Sequence, residues 1–294
     1  MVKQSLVQTK QNFKAFITAD GVKNRINQVI GSKDGQRFIT AITSVVSNNP
    51  DLADCDHNTI LNAAMVGEAL KLSPSPQLGQ YYIVPFKDNK HGRKVATFIL
   101  GYKGYIQLAV RSGQYKKLNV VAIKEDELKS YNPLDEEIEV NLIENEEQRE
   151  QAKTIGYYAM FEYTNGFKKT LYWSRAKMEA HALKYSKGYD AKKGYTFWEK
   201  DFDGMAFKTM LRQLIGKWGI MSIDIQKGLE NDGAVIADDG TTTYVEADFE
   251  PVTTPEQNTP VVNLAAEERP REEGTPEVFP SPEDDPFFNQ ETNS

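Results

Sequence analysis

Asn165-Gly166 separates two β-prone runs, Thr154 to Tyr163 and Phe167 to Ser174. The favoured two-residue hairpin turn needs positive φ at both central positions, which Asn and Gly tolerate and most residues resist. The dipeptide therefore dictates an antiparallel strand pair. A second pair is expected upstream, where Gln80 to Lys87 and Lys94 to Leu100 flank the turn-forming Asp88-Asn89-Lys90-His91-Gly92. Before these hairpins the apolar period is helical. Asp20 can cap a helix from about Val22 to Ile30, and a helix from Asp34 to Ser47 would place Phe38, Ile42 and Val45 on one face. A third follows Asp56, carries Ile60, Leu61, Ala64, Leu70 and Leu72, and stops before Pro74. Between the hairpins, a short helix from Tyr102 to Ser112 ends at Gly113, and a strand from Leu118 to Ile123 follows. Thr196 and Glu199, at capping-box spacing, open a long helix from Phe197 to about Met221. The expected fold class is α+β: N-terminal helices, a central antiparallel meander of hairpins, and a long closing helix.

From about Asp238 large apolar residues thin out, and segments such as Thr253-Thr254-Pro255-Glu256 and Arg269-Pro270-Arg271-Glu272-Glu273 bury too little surface to offset chain entropy. The expected division is a core over 1–235 and an acidic, Pro/Glu-rich tail over 236–294, disordered from about residue 240. No internal repeat stands out. The longest apolar runs, such as Val95 to Leu100, are too short to cross a bilayer, and the N-terminus carries no secretory apolar run. Cys55 is the only cysteine, which excludes an intrachain disulfide and suits a reducing cytoplasm.

The net charge of −7 hides a segregation. Residues 87–124 carry a net +8, residues 125–152 a net −9, residues 153–227 a net +7 and residues 228–294 a net −15. Two basic blocks divided by an acidic one suggest a local polyanion site rather than a uniformly acidic protein. In the second basic block, Phe207, Met210, Leu211, Leu214, Ile215 and Trp218 share one helical sector. Lys208 and Arg212 stack one turn apart on its flank, Lys217 emerges elsewhere on the polar side, and Gln213 is a further candidate. Singly these are solvated charges of an amphipathic helix; as a row they could track phosphates. In the first block, Lys103, Tyr105, Arg111, Tyr115, Lys116 and Lys117 alternate cations with aromatics. Phosphate-binding cations with base-stacking rings are what sequence-independent single-strand binding requires. Ile106 would pack inside, and Gly113 would end the helix. A third basic stretch, Lys184 to Lys193 with Tyr185 and Tyr189, reads as a loop.

Catalytic constellations are thin. The sequence holds no GxxxxGK[ST] phosphate loop, since Gly216-Lys217 runs into Trp218. His57, His91 and His181 are scattered, so no zinc site is expected. Asp201 with Asp203, or Asp135 with Glu136 and Glu137, could hold magnesium for a nuclease. The first pair is equally explained by a helix N-terminus and the second by a solvated spacer. No cofactor is expected to be required, with magnesium at most modulating DNA binding.

Three stretches carry a resemblance. Leu100-Gly101-Tyr102-Lys103-Gly104-Tyr105-Ile106-Gln107-Leu108-Ala109 with Arg111-Ser112-Gly113, and Trp198-Glu199-Lys200-Asp201-Phe202-Asp203-Gly204-Met205-Ala206 with Lys208-Thr209, Leu211-Arg212-Gln213-Leu214 and Lys217-Trp218, resemble the central segment and closing helix of the RecT family of phage recombination proteins. Leu78-Gly79-Gln80-Tyr81-Tyr82-Ile83-Val84-Pro85 is similar to the family's first hairpin strand. The resemblance spans about residues 10–225. It implies a non-enzymatic, ATP-independent protein that binds single-stranded DNA and pairs complementary strands through an annealed duplex intermediate. It further implies a homo-oligomer, ring or helical filament, acting beside a phage exonuclease and host single-stranded DNA-binding protein in the bacterial cytoplasm. The basic clusters would wall the groove, with oligomer contacts in the N-terminal helices. The tail would compete for the groove, recruit a partner through Glu283-Asp284-Asp285-Pro286-Phe287-Phe288, or only solubilise. A DNA-binding scaffold and a magnesium-dependent nuclease are the alternatives.

Overall fold

Helix starts in this chain are marked by short polar side chains that satisfy otherwise free N–H groups. In the computed structural model, which describes residues 12–194, 196–220 and 222–244 and the backbone of 249–251, Asn12, Asp56, Asn145, Ser174, Thr196, Asp201 and Ser222 each accept from a backbone N–H of the helix they precede. The N-terminal helices are α1 (Phe13–Thr18), α2 (Asp20–Ile30), α3 (Ser32–Ser47), α4 (Pro50–Ala53) and α5 (His57–Ala69). Asp20 is the first residue of α2 rather than its cap, which is Ala19. The hairpin β1 (Tyr81–Asp88) and β2 (Arg93–Leu100) leads to α6 (Tyr102–Arg111) and β3 (Tyr115–Lys124). The acidic block forms a small hairpin, β4 (Leu128–Asn132) and β5 (Glu137–Val140), and α7 (Glu146–Gln151). Then come β6 (Thr154–Tyr163), β7 (Lys168–Ser174), α8 (Arg175–Tyr185), α9 (Lys187–Asp190), α10 (Phe197–Lys200), α11 (Phe202–Trp218) and α12 (Ile223–Asn231). Short strands β8 (Ala234–Ile236), β9 (Thr242–Tyr244) and β10 (Phe249–Pro251) close the order.

The class is α+β with antiparallel strands, as expected, but the described strands form three sheets rather than one meander: β10-β1-β2-β8-β9, β3-β6-β7 and β4-β5. Two cores result. One joins the N-terminal helices to β1, β2 and α6; the other lies under β3-β6-β7 and includes Met178 and Ala182 of α8. Helix α11 is their common wall. Leu211 and Ile215 enter the first core, while Ala206, Met210 and Leu214 enter the second. Two adjoining i, i+4 rows on one helix thus serve opposite partners.

Three expectations are corrected here. The closing helix is broken at Asp201 (φ −146°, ψ 77°), whose carboxylate accepts from Gly204 N at 2.8 Å and starts α11 afresh. The capping box at Thr196 and Glu199 is present, but it caps only α10. The long helix ends at Trp218, and Met221 lies outside the described residues. The stretch Lys184 to Lys193 belongs largely to α8 and α9 rather than to a loop. The described strands continue past residue 235, since Val235 pairs with Thr243 and Asp88 with Phe249. Residues 252–294, with the Pro286-Phe287-Phe288 segment, lie outside the described residues. No helix among the described residues is long and apolar enough to cross a membrane.

Candidate nucleic-acid interface

The three stretches of the resemblance, far apart in sequence, meet at one end of α6 and α11. Gly101 N donates to Gln80 O at 2.9 Å. A Cβ on Gly101 or Gly104 would collide with the carbonyl of Gly79 or Gln80, so only glycine lets α6 press its first turn on the backbone before β1. This contact presents Tyr82 and Tyr102 toward α10 and α11. The Tyr82 ring lies 6.1 Å from Phe197, and Tyr102 meets Phe207 edge-on at 5.7 Å. Burial and the neighbouring Asp201 carboxylate raise both phenols above their ordinary range, so they are neutral, hydrogen-bonding rings. Phe197 is 41 % exposed, and Lys103 and Lys200 are exposed. The Lys103 ammonium lies 5.9 Å from the Tyr102 ring. Half-buried rings beside exposed cations can stack bases and neutralise phosphates without reading sequence.

Several predicted residues are used otherwise. The Lys208 ammonium donates to Asp232 at 2.8 Å, and the Arg212 guanidinium pairs with the other oxygen of the same carboxylate. Tyr105 OH and Leu100 N donate to it at 3.1 and 3.0 Å. Asp232 is buried, and four donors fill the acceptor sites of a carboxylate. Burial pushes its carboxyl up, but Lys208 and Arg212 outweigh that and hold it below the usual range. Tyr105, 1 % exposed, is therefore a core residue and not a stacking platform. Lys208, with its side chain 14 % exposed, is a structural cation, whereas Arg212 keeps 42 % of its side chain in solvent. The helical row seen in sequence is real, but its charge is directed at a carboxylate that lies 20 residues or more downstream.

Other candidates collect at the opposite end of α6, about 13 Å away at 1.5 Å per residue. Arg111 donates to the carbonyls of Leu70 and Lys71 at 2.6 and 3.4 Å, closing the end of α5. Lys116 and Lys117 are exposed, and both pair with Glu162 across the β3–β6 ladder, at 2.6 and 3.6 Å. Tyr115 packs edge-on to Phe161 and Tyr163, and its phenol is raised by burial and by Tyr163. Tyr163 OH donates to Trp218 O at 3.2 Å, which ties this cluster to the end of α11. There Lys217 lies 5.2 Å and Lys169 3.8 Å from the Trp218 ring, and Gln213 is exposed. The predicted residues therefore form two patches and a buried hub, not one row.

The carboxylates considered for magnesium have protein partners. Asp201 caps α11, and Asp203 accepts from Tyr157 OH at 2.5 Å and faces Arg175 at 3.5 Å. Glu136 pairs with Lys169, and Asp135 accepts from Asn132 at 2.5 Å. Sequence reasoning missed Asp232, Tyr82, Phe197 and Lys200 as actors. Tyr82, Phe197 and Lys200 lie in or beside the recognised stretches, while nothing local marks Asp232.

The model of the RecT family matches residues 36–252. The uncharacterized protein YqaK of Bacillus subtilis (strain 168) is 40 % identical over 247 residues, covering 83 % of this chain and 79 % of that protein. Protein RecT of Escherichia coli (strain K12) is 32 % identical over 222 residues, covering 74 % of this chain and 79 % of that protein. A match of this extent, with the three recognised stretches joined in space, makes the chain a member of the RecT family, whose general function is single-strand annealing in DNA recombination.

Proposed function

We propose that this protein binds single-stranded DNA in the cleft between β1, α6 and α10 and anneals it to a complementary strand without ATP. The observation that carries the reading is that Tyr82 meets Phe197 and Tyr102 meets Phe207, with exposed Lys103 beside Tyr102 and exposed Lys200 on α10, all in or beside the three recognised stretches. Rings stack on bases of any sequence, and lysines offset the phosphate repulsion between two strands. Lys116, Lys117, Gln213 and Lys217, with the outer edge of Arg212, extend the path toward the far end of α11. Annealing needs many contiguous nucleotides held at once, which one cleft cannot supply, so copies act as a homo-oligomer, a ring or helical filament. A phage exonuclease and host single-stranded DNA-binding protein are its expected partners in the bacterial cytoplasm. No cofactor is required for pairing, and magnesium modulates DNA affinity only.

The test is ATP-free annealing of two labelled complementary oligonucleotides by the full chain at low salt, with native sizing of the product. Accelerated pairing in a large protein–DNA assembly is expected. Pairing no faster than protein-free strands would refute annealing, and shortened strands in magnesium would mean a nuclease.

A further inference from the structure

Helix α8 carries a second set of rings and cations that the cleft does not use. Trp173, the penultimate residue of β7, meets His181 at 5.5 Å between ring centroids, and His181 meets Tyr185 at 4.6 Å. Residues 181 and 185 are one helical turn apart, so the rings continue along one face. The Lys177 ammonium lies 4.5 Å from the Trp173 ring and that of Lys184 5.1 Å from the Tyr185 ring. Burial and the charge of Lys184 lower His181 below its ordinary range, so at neutral pH it stacks as an uncharged ring.

Packing explains part of this face. Met178 and Ala182 are the buried side of α8, and Trp173 packs on the second core. It does not explain Tyr185, which is 67 % exposed at the outer end of the run, with exposed Lys184 beside it. Arg175 is half-buried and turned inward, since its guanidinium lies 3.6 Å over Phe202 and donates to Tyr157 OH at 2.9 Å. Lys177 and Lys184, in contrast, are exposed, as are Lys192 and Lys193 beyond α9. Trp198, buried in α10, stands 6.5 Å from His181 and next in sequence to Phe197 of the cleft. One aromatic wall thus has the cleft on one side and the α8 rings on the other.

We propose that the Trp173–His181–Tyr185 face, with Lys177 and Lys184, is a second single-strand platform that receives the incoming strand while the cleft holds the first. The inference rests on the cleft reading above and extends it to the second substrate. A run of partly buried to exposed rings, with cations beside Trp173 and Tyr185, fits a nucleic-acid strand, because bases supply π-faces and phosphates supply charge. A protein partner would leave strand exchange indifferent to these residues.

The experiment uses the full chain and the double variant Tyr185→Ala/Lys184→Ala, whose exposed positions leave both cores intact. A labelled oligonucleotide is bound first and its affinity measured; the complementary oligonucleotide is then added and the pairing rate followed. The expected result is first-strand affinity within about twofold of the parent and pairing slowed about tenfold, the loss of roughly one stacked base. Tyr185→Phe should restore the rate, since the ring is kept. Unchanged pairing in the double variant would overturn the platform. So would an equal loss of first-strand affinity, which would make α8 part of the first site. If the parent chain neither binds nor pairs strands, the cleft reading itself fails, an outcome separate from either result with the variant.

Discussion

Lys208 and Arg212 stand one turn apart on α11, in a register that would suit a row of phosphates, while Lys103 stands at the start of α6, with the other cation of that helix, Arg111, at its far end. Yet Lys103 faces solvent beside the cleft, and Lys208 is enclosed against Asp232. The difference lies in what the third dimension brings to each cation. Lys208 and Arg212 meet a carboxylate delivered by the junction of α12 and β8, whereas the exposed Lys103 ammonium lies 5.9 Å from the Tyr102 ring. A cation's spacing along a helix shows where it can point, but its function depends on whether an anion arrives from elsewhere in the chain.

The comparison breaks most readily at Asp232. Asp232→Ala should leave Lys208 without a counter-ion in a nearly closed site, with Tyr105 OH and Leu100 N unsatisfied. Loss of about 3–5 kcal/mol is expected by urea unfolding, because removing one partner of a buried pair strands the other charge. A change under about 0.5 kcal/mol would show that the hub is not structural.

Acid tests the same hub without mutation. The Asp232 carboxyl is lowered in the folded protein, so its stabilising contribution is complete above the unfolded carboxylate value of about 4 and is lost as pH falls through the lower folded value. Glu127, buried and bound by Arg149, is lowered in the same direction, because Arg149 and the backbone N–H groups of Lys124 and Ile143 outweigh burial. Urea midpoints should therefore stay level from neutral pH to about 5 and fall below about 4. A midpoint that rises on acidification would contradict both assignments.

The smallest effect is expected at the exposed cations, where it separates DNA contact from structure. Lys103→Ala and Lys200→Ala should each flatten the salt dependence of single-strand binding by about 0.7 log units per log unit of salt. Lys208→Met should lower stability and leave that slope unchanged. A slope altered by Lys208→Met and not by Lys103→Ala would invert the division between buried and exposed cations.

Legibility followed the range of the forces involved. Asn165-Gly166 specified the β6–β7 hairpin, Asp56 the start of α5 and Thr196 with Glu199 a capping box, because each is settled within a few residues of chain. The same locality explains two misreadings. Asp201 reads as part of the N-terminal turns of one helix begun at Phe197, yet its side chain caps a second. Composition marks the chain as disordered from about residue 240, yet Thr242–Tyr244 forms an exposed edge strand that needs a partner rather than burial.

By itself the sequence determined the α+β class, the β1–β2 and β6–β7 hairpins, the start of α5, the charge blocks and the three stretches that place this chain in its family. Only the tertiary structure decided that Tyr105 is enclosed, that Lys208 is neutralised by Asp232, and that Tyr82 meets Phe197 and Tyr102 meets Phe207. The reason is physical. Backbone preference and capping act over a few residues, whereas the worth of a charge or a ring depends on burial and on partners that chain folding brings from more than 100 residues away.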